Sequence, residues 1–282
     1  MLDTAPVKWL PWKMLVGRSS APFPTARVIV ESGARHIEVV EDLFAPDVTD
    51  SQRDRAFVLM AIASALTFRV VTRYPAAARL YLSKGTVAVS EAIRHAAPHL
   101  GPAVSVGLDI PWVWLLLRAS AQADLDQGVP ELLETPAALR GVLLDGPVEK
   151  VDLTTLPSRF RGDDRPLYRI DALRGQHRCG PSVVYAGTKL DWIVLRGATG
   201  PNAKPLHPDI ARSVRDQCQD AKVPFCFESW GEWSPAPQGG NAATLVHDWP
   251  NGERFFRVGQ RAAVRLLDGK VWDDMPEVAH AG

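Results

Sequence analysis

Short β-branched apolar runs alternate along this chain with longer stretches whose apolar residues recur every three or four positions. "RVIVE" (27–31) and "HIEVVEDLF" (36–44) have the pattern of strands. "DSQRDRAFVLMAIASAL" (50–66) predicts a helix that Asp50 can cap, with Ala56, Leu59, Met60 and Ala63 at helical spacing. "FRVVT" (68–72) predicts the next strand and "AAARLYLS" a helix after it. Further on, "AVSVGLD" (103–109) predicts a strand, "VPELLETPAA" (129–138) a short helix and "RGVLLDG" (140–146) another strand. Residues 147–188, rich in Pro, Gly and Arg, read as irregular.

Beyond that stretch, "DWIVLRG" (191–197) predicts a strand, "HPDIARSVRDQCQDA" (207–221) a helix and "VPFCFESW" (223–230) a final strand. Pro208 suits the first helical position, and Asp209 favours the positive end of the helix dipole. Ile210, Val214, Cys218 and Ala221 then line the buried face. From about residue 235 the pattern offers no long helix. Strands that are apolar on both faces and alternate with helices predict an α/β fold of mostly parallel strands. An open or closed barrel suits this better than a flat doubly wound sheet.

Composition narrows the class. With 46% apolar and 23% charged residues, the chain is a globular protein. Acids and bases balance at 32 each, so no global field recruits nucleic acid or an anionic membrane. No apolar run approaches the roughly 18 residues of a membrane span. The opening "MLDTAPVKWLPWKM" lacks the order of a secretory signal. Cys179, Cys218 and Cys226 are too few for a disulfide framework. These features predict a protein of the cytoplasm with no membrane partner.

The segment "LDWIVLRGATGPNAKPLHPDIARSVRDQCQDAKVPFCFESWGEW" (190–233) resembles the bacteriophage Gp-thirty-seven/Gp-sixty-eight family, whose members carry a three-Cys motif. Members read like "LDWVIVGGESGP.ARPMHP…RDQC…VPFFFKQWGEW". "EDLFAPDV" (41–48) is similar to that family's "SDLFHPDV", and "TFRVVTRYP" (67–75) to its "TFQVLTKRP". "RVGQRAAVRLLDGKVWDDMP" (257–276) is similar to its C-terminal signature. The resemblance runs in order over roughly residues 26–276. It implies a radical-SAM-like partial (β/α) barrel with an irregular C-terminal extension. On this reading the chain is one domain, with an N-terminal segment at 1–25, the partial barrel at 26–233 and the extension at 234–282. It also implies a phage protein working in the host cell's cytoplasm. In radical-SAM proteins three cysteines near the N-terminus hold a four-iron four-sulfur cluster, and S-adenosylmethionine binds its open iron.

The chain departs from the family where that chemistry resides. The family's "TGCTKVSPGCDNCYAE"-like segment has no counterpart, and residues 1–26 contain no cysteine. A cluster needs a compact set of thiolates. Here Cys218 falls on a predicted helix face, Cys226 within a strand and Cys179 in the irregular stretch, so small buried hydrophobes are the better reading of Cys218 and Cys226. The family's "GGESG" is Arg196-Gly197-Ala198-Thr199-Gly200, which replaces a carboxylate with a methyl group. Its "FFFKQW" reads Phe225-Cys226-Phe227-Glu228-Ser229-Trp230, which replaces a lysine with an acid. Its "SAEPLLG" aligns with Leu143-Leu144-Asp145-Gly146, and the histidine of "DLFHPDV" is Ala45. By contrast Trp230, Gly231, Trp233, Arg265, Leu266, Leu267, Asp268 and Gly269 are retained. The scaffold is kept and the iron–sulfur ligands are gone.

Candidate binding residues follow from strand ends, where barrel proteins place working groups. Asp42, Thr72, Arg73, Asp109, Asp145 and Arg196 all fall at predicted strand C-termini. Each alone is as well explained by a solvated loop or a cap, but as a ring they outline a pocket. Arg196, Gly197, Thr199 and Gly200 form a turn whose N–H groups, with the helix start at 208, can hold an anionic or polar group. The competing reading is a tight turn that needs glycine. "RFRGDDRPLYRIDALRGQHR" (159–178) carries six arginines against three aspartates, a composition that can contact nucleic acid but is commoner in mixed-charge surface loops. His95 and His99 in "HAAPH" are spaced for a metal, but Pro98 between them speaks against a helix, and no metal site is expected. Trp230 and Trp233 read as scaffold packing.

The first functional reading is a radical-SAM-like phage protein without cluster chemistry that binds a small ligand or a phage or host macromolecule. An alternative is an enzyme that binds S-adenosylmethionine or a nucleotide and modifies nucleic acid or a nucleotide without its own cluster. A third is an interaction protein acting through 147–188.

Overall fold

The computed structural model describes residues 7–9, 36–39, 41–62, 66–84, 110–146, 149–158, 168–179, 183–235, 245–260 and 263–277. The strands expected at 27–31 and 103–109, and His95 and His99, lie outside them. The chain divides into two compact units: Met1–Leu117, Glu134–Arg140 and Val278–Gly282 in one, and Arg118–Leu133 and Gly141–Glu277 in the other.

In the first unit, β1 (Val7–Trp9) and β2 (His36–Val39) run parallel. Helix α1 (Asp50–Ile62) leads into β3 (Thr67–Thr72), which pairs in parallel with β2. Helix α2 (Pro75–Leu82) has proline in its first turn, where the missing N–H costs nothing. β4 (Val113–Ala119), whose residues from Arg118 onward belong to the second unit, then pairs in parallel with β3. Phe44, Phe57 and Tyr81 form an aromatic cluster in this unit's core, with ring centroids 5.6 to 6.4 Å apart. The helix at 50 and the strand at 68 therefore stand as expected. β4 is an addition. Its run "VWLLLRA" is buried at all but one position, and a continuous apolar run carries no period that separates strand from helix.

The second unit holds α3 (Gln122–Leu133), β5 (Leu139–Asp145), β10 (Trp192–Arg196), α4 (Pro208–Ala221) and β11 (Phe225–Ser229), where β6 to β9 lie between β5 and β10. β5, β10 and β11 are parallel neighbours in that order. α4 lays Ile210, Ala211, Val214 and Cys218 into the core, while Ala221, expected on that face, is half-buried. The helix expected from residue 129 begins seven residues earlier, at Gln122, and Pro130 lies inside it.

Residues 147–188 are not irregular throughout. β6 (Leu156–Pro157), β7 (Tyr168–Asp171), β8 (Gln176–Cys179) and β9 (Val183–Ala186) form an antiparallel sheet. Polar residues such as Arg169, Gln176 and Arg178 on these short strands hide the apolar alternation. The C-terminal part has no helix among its described residues. β12 (Trp233–Ser234), β13 (Val246–Asp248) and β14 (Arg254–Arg257) make a three-stranded antiparallel sheet, and β15 (Leu266–Leu267) and β16 (Lys270–Val271) a ribbon. The molecule is thus α/β with a mainly parallel set of buried strands.

Candidate functional site

The C-terminal strand ends of the second unit carry a row of alternating charges. Arg118 lies next to the end of β4, Asp145 ends β5, Arg196 ends β10 and Glu228 lies near the end of β11. Parallel pairing sets Arg196 opposite Asp145 in register. The Arg196 guanidinium then grips that carboxylate as a fork, with Nε donating to Oδ1 at 3.0 Å and Nη2 to Oδ2 at 3.1 Å. Arg118 Nη2 pairs with the same carboxylate from the other side. Arg196 Nη1 stands 3.7 Å from Glu228 Oε2. Asp145 is only 10% exposed and Arg196 17%. Burial pushes the Asp145 carboxyl up, but hydrogen bonds and charge from Arg196 and Arg118 outweigh it and hold the group below the usual carboxylate range. At the break in β10–β11 register, Arg196 is paired with Ser229 instead of Glu228. Arg118 Nε is buried and has no acceptor among the described residues.

The turn after β10 is occupied by the protein itself. The Gly197 N–H donates to the Ser229 carbonyl at 2.9 Å, and the Gly200 N–H donates to Glu232 Oε1 at 3.0 Å. The Glu232 N–H donates in turn to the Ala198 carbonyl at 3.0 Å. The anion held by this loop is therefore the carboxylate of Glu232. Close approach of backbone to backbone explains the glycines: a Cβ on Gly197 would lie 2.0 Å from the Trp230 carbonyl oxygen, and one on Gly231 (φ 78°) 2.2 Å from that of Ala198. Thr199 is exposed.

Asp42, Thr72 and Arg73 gather in the first unit, through turn geometry. Asp42 Oδ2 accepts the Arg73 N–H at 2.7 Å and Oδ1 the Phe44 N–H at 3.1 Å, while Thr72 Oγ1 accepts the Tyr74 N–H at 2.9 Å. Asp42 and Thr72 thus use their side chains to stitch the end of β3 to the loop after β2, and the Arg73 side chain is exposed. Asp109 lies outside the described residues. In the arginine-rich stretch, Arg174 Nη1 donates to Asp171 at 3.0 Å and Arg178 Nη2 to Gln176 at 3.4 Å.

A pocket of about 670 Å³ opens where the loop following that turn meets α4. Lys204, His207 and Asp209 line it with Lys150, His247 and Trp249. His207 caps α4, its Nδ1 accepting the Asp209 N–H at 3.1 Å. The strand-end pattern pointed to Asp145 and Arg196. It missed Arg118, which lies next to the end of the unrecognised β4, and it missed His207, His247 and Trp249. Those three lack any shared sequence motif, since only folding brings 207 next to 247 and 249.

An iron–sulfur cluster, which a radical-SAM-like fold implies, does not fit the thiols. Cys218 lies fully buried on α4, where burial pushes its thiol far above the ordinary range, and Cys226 is buried within β11. Cys179 belongs to β8 in the antiparallel sheet. Among the described residues, no three His, Cys, Asp or Glu side chains gather to hold a metal ion, and no helix is long and apolar enough to cross a membrane. Trp230 and Trp233 pack as scaffold: their Nε1 groups donate to the carbonyls of Leu266 and Ala203 at 2.9 Å.

No curated protein and no solved structure matches the chain. A family model does match, over residues 24–276, nearly the whole length. The chain belongs to the family described as "Protein of unknown function (DUF5131)".

Proposed function

We propose that this chain is a phage-encoded, radical-SAM-like partial barrel that works without an iron–sulfur cluster and acts by binding a small ligand. The self-paired Arg118–Asp145–Arg196–Glu228 row supports the cluster-free half of this reading, and the pocket at the start of α4 the binding half. Barrels present cofactor and substrate groups at strand C-termini. Here those positions in the second unit are spent on one another, with two guanidinium groups on one carboxylate. A network that is already paired preorganises a rim and offers little to a cofactor. The buried Cys218 and Cys226 support the same reading, and the resemblance over 26–276 supports the phage origin and the barrel. The pocket at the start of α4 supplies room for a ligand, within the roughly 300–1,000 Å³ usual for small-molecule sites.

The test is equilibrium dialysis of the purified chain against S-adenosylmethionine. The expected result is no saturable binding up to millimolar concentration. Stoichiometric micromolar binding would favour a surviving cofactor site and contradict the proposal.

A further inference from the structure

We propose that the pocket at the start of α4 binds a nucleoside phosphate, a flat aromatic ring joined to a phosphate group. The inference rests on the binding reading above and names its ligand class.

Charge comes first. Of the pocket's acids, Glu149 Oε1 accepts the Gln122 N–H at 3.0 Å, and Asp209 Oδ1 accepts Arg212 Nη1 at 3.0 Å. Both carboxylates are engaged within the protein. Lys150 and Lys204 form no ion pair among the described residues and are exposed. Arg212 offsets the charge of Asp209, whereas Glu149 accepts only a neutral N–H and keeps its charge, so Lys150 and Lys204 leave a surplus of positive charge, which favours a phosphate and disfavours a cationic sulfonium compound.

The aromatic half is built around Trp249. Its ring centroid stands 4.3 Å from that of His207 and 4.2 Å from that of His247, and Trp233 lies 6.2 Å beyond His247. The rings meet at 57° and 74°, tilted and edge to face, so the half-buried His207, His247 and Trp249 make an aromatic wall against which a base can pack. Donors are present as well. Because His207 Nδ1 accepts the Asp209 N–H, the ring proton belongs on Nε2, which is left as a donor. Trp249 Nε1 is buried with no acceptor among the described residues, an unmet donor on a residue that lines the pocket. Surplus positive charge, an aromatic wall and the His207 Nε2 donor within one pocket match a nucleoside phosphate. They match a neutral nucleoside or bare phosphate only in part.

Calorimetric titration of the full chain with adenosine and guanosine 5′-monophosphates, adenosine, and inorganic phosphate tests this. At least one monophosphate should bind at one site, with adenosine and inorganic phosphate each weaker by about tenfold or more. The double variant K150A/K204A should weaken the monophosphate by about tenfold or more at an unchanged melting temperature, because both side chains are exposed. W249L should weaken it too; if that variant fails to fold, the lysine variant decides. No saturable binding of either monophosphate, adenosine binding as tightly as its monophosphate, or undiminished affinity in K150A/K204A would each overturn the proposal. Absence of nucleotide binding in a chain that also takes up no cluster would remove this site and leave the cluster-free reading intact. A reconstituted cluster alongside lysine-dependent nucleotide binding would do the reverse.

Discussion

Asp145 is gripped by two guanidinium groups, and its removal leaves Arg118 without that carboxylate and Arg196 with only the more distant Glu228. D145N should cost about 2 kcal/mol, somewhat under the roughly 3–5 kcal/mol of a fully buried pair because Arg118 is partly exposed. E228Q, at 3.7 Å from Arg196, should cost under about 1 kcal/mol. Urea denaturation of the two variants measures this difference, and equal costs would deny Asp145 its central place. G231A should be destabilising by about 1–3 kcal/mol, since it combines a positive φ with a Cβ 2.2 Å from a backbone oxygen. Thermal melting checks it. At this scale the sequence was informative about position but not about partner. Asp145 and Arg196 were recognisable because they follow apolar strand runs. That they face each other depends on β5 and β10 being neighbours in one register, which no local pattern encodes. The loop 196–200 was recognisable as a glycine turn, but not that Glu232 fills it.

α4 is tied to the C-terminal segment by arginine. Arg212 reaches Asp209 at 3.0 Å, Glu253 at 2.7 Å and Asp268 at 2.9 Å, and Arg215 reaches Asp268 at 2.5 Å. Asp268 sits at φ 52° in the tight turn between β15 and β16, so the retained "LLDG" signature serves as an anchor for the helix. R212M should lower stability by about 1 kcal/mol, as expected for a partly exposed network, and raise amide exchange in 245–277 more than in α4 itself. Uniform exchange across both would contradict that anchoring role. α4 was legible by its clean helical period, α1 by its Asp50 cap and the spacing of Ala56, Leu59 and Met60, and β3, β5, β10 and β11 as bounded apolar runs. β4 was missed because seven residues of nearly continuous apolar chain have no period, and β7 and β8 because their polar residues mask one.

Across the molecule the paired carboxylates set a pH dependence. Hydrogen bonding from Arg212 lowers the Asp268 and Glu253 carboxyls, and Asp145 is lowered by its arginines despite burial. A carboxyl held below its unfolded value contributes stability that is present above about pH 4 and lost as pH falls through the lowered value. The urea midpoint should therefore be nearly flat between pH 7 and 5 and should drop below about pH 4. A midpoint that rises on acidification would contradict the pairing. At this scale the α/β class and the parallel strands were readable from alternating runs, whereas the division into two compact units was not, since it places 118–133 and 134–140 in different units.

The most direct measurement is iron and acid-labile sulfide content after anaerobic reconstitution of the full chain. A protein whose Cys218 and Cys226 are buried in a helix and a strand should take up neither in stoichiometric amount. About four irons and four sulfides per chain, with the matching absorbance, would mean that Cys179, Cys218 and Cys226 can gather as ligands, and the cluster-free proposal would fall.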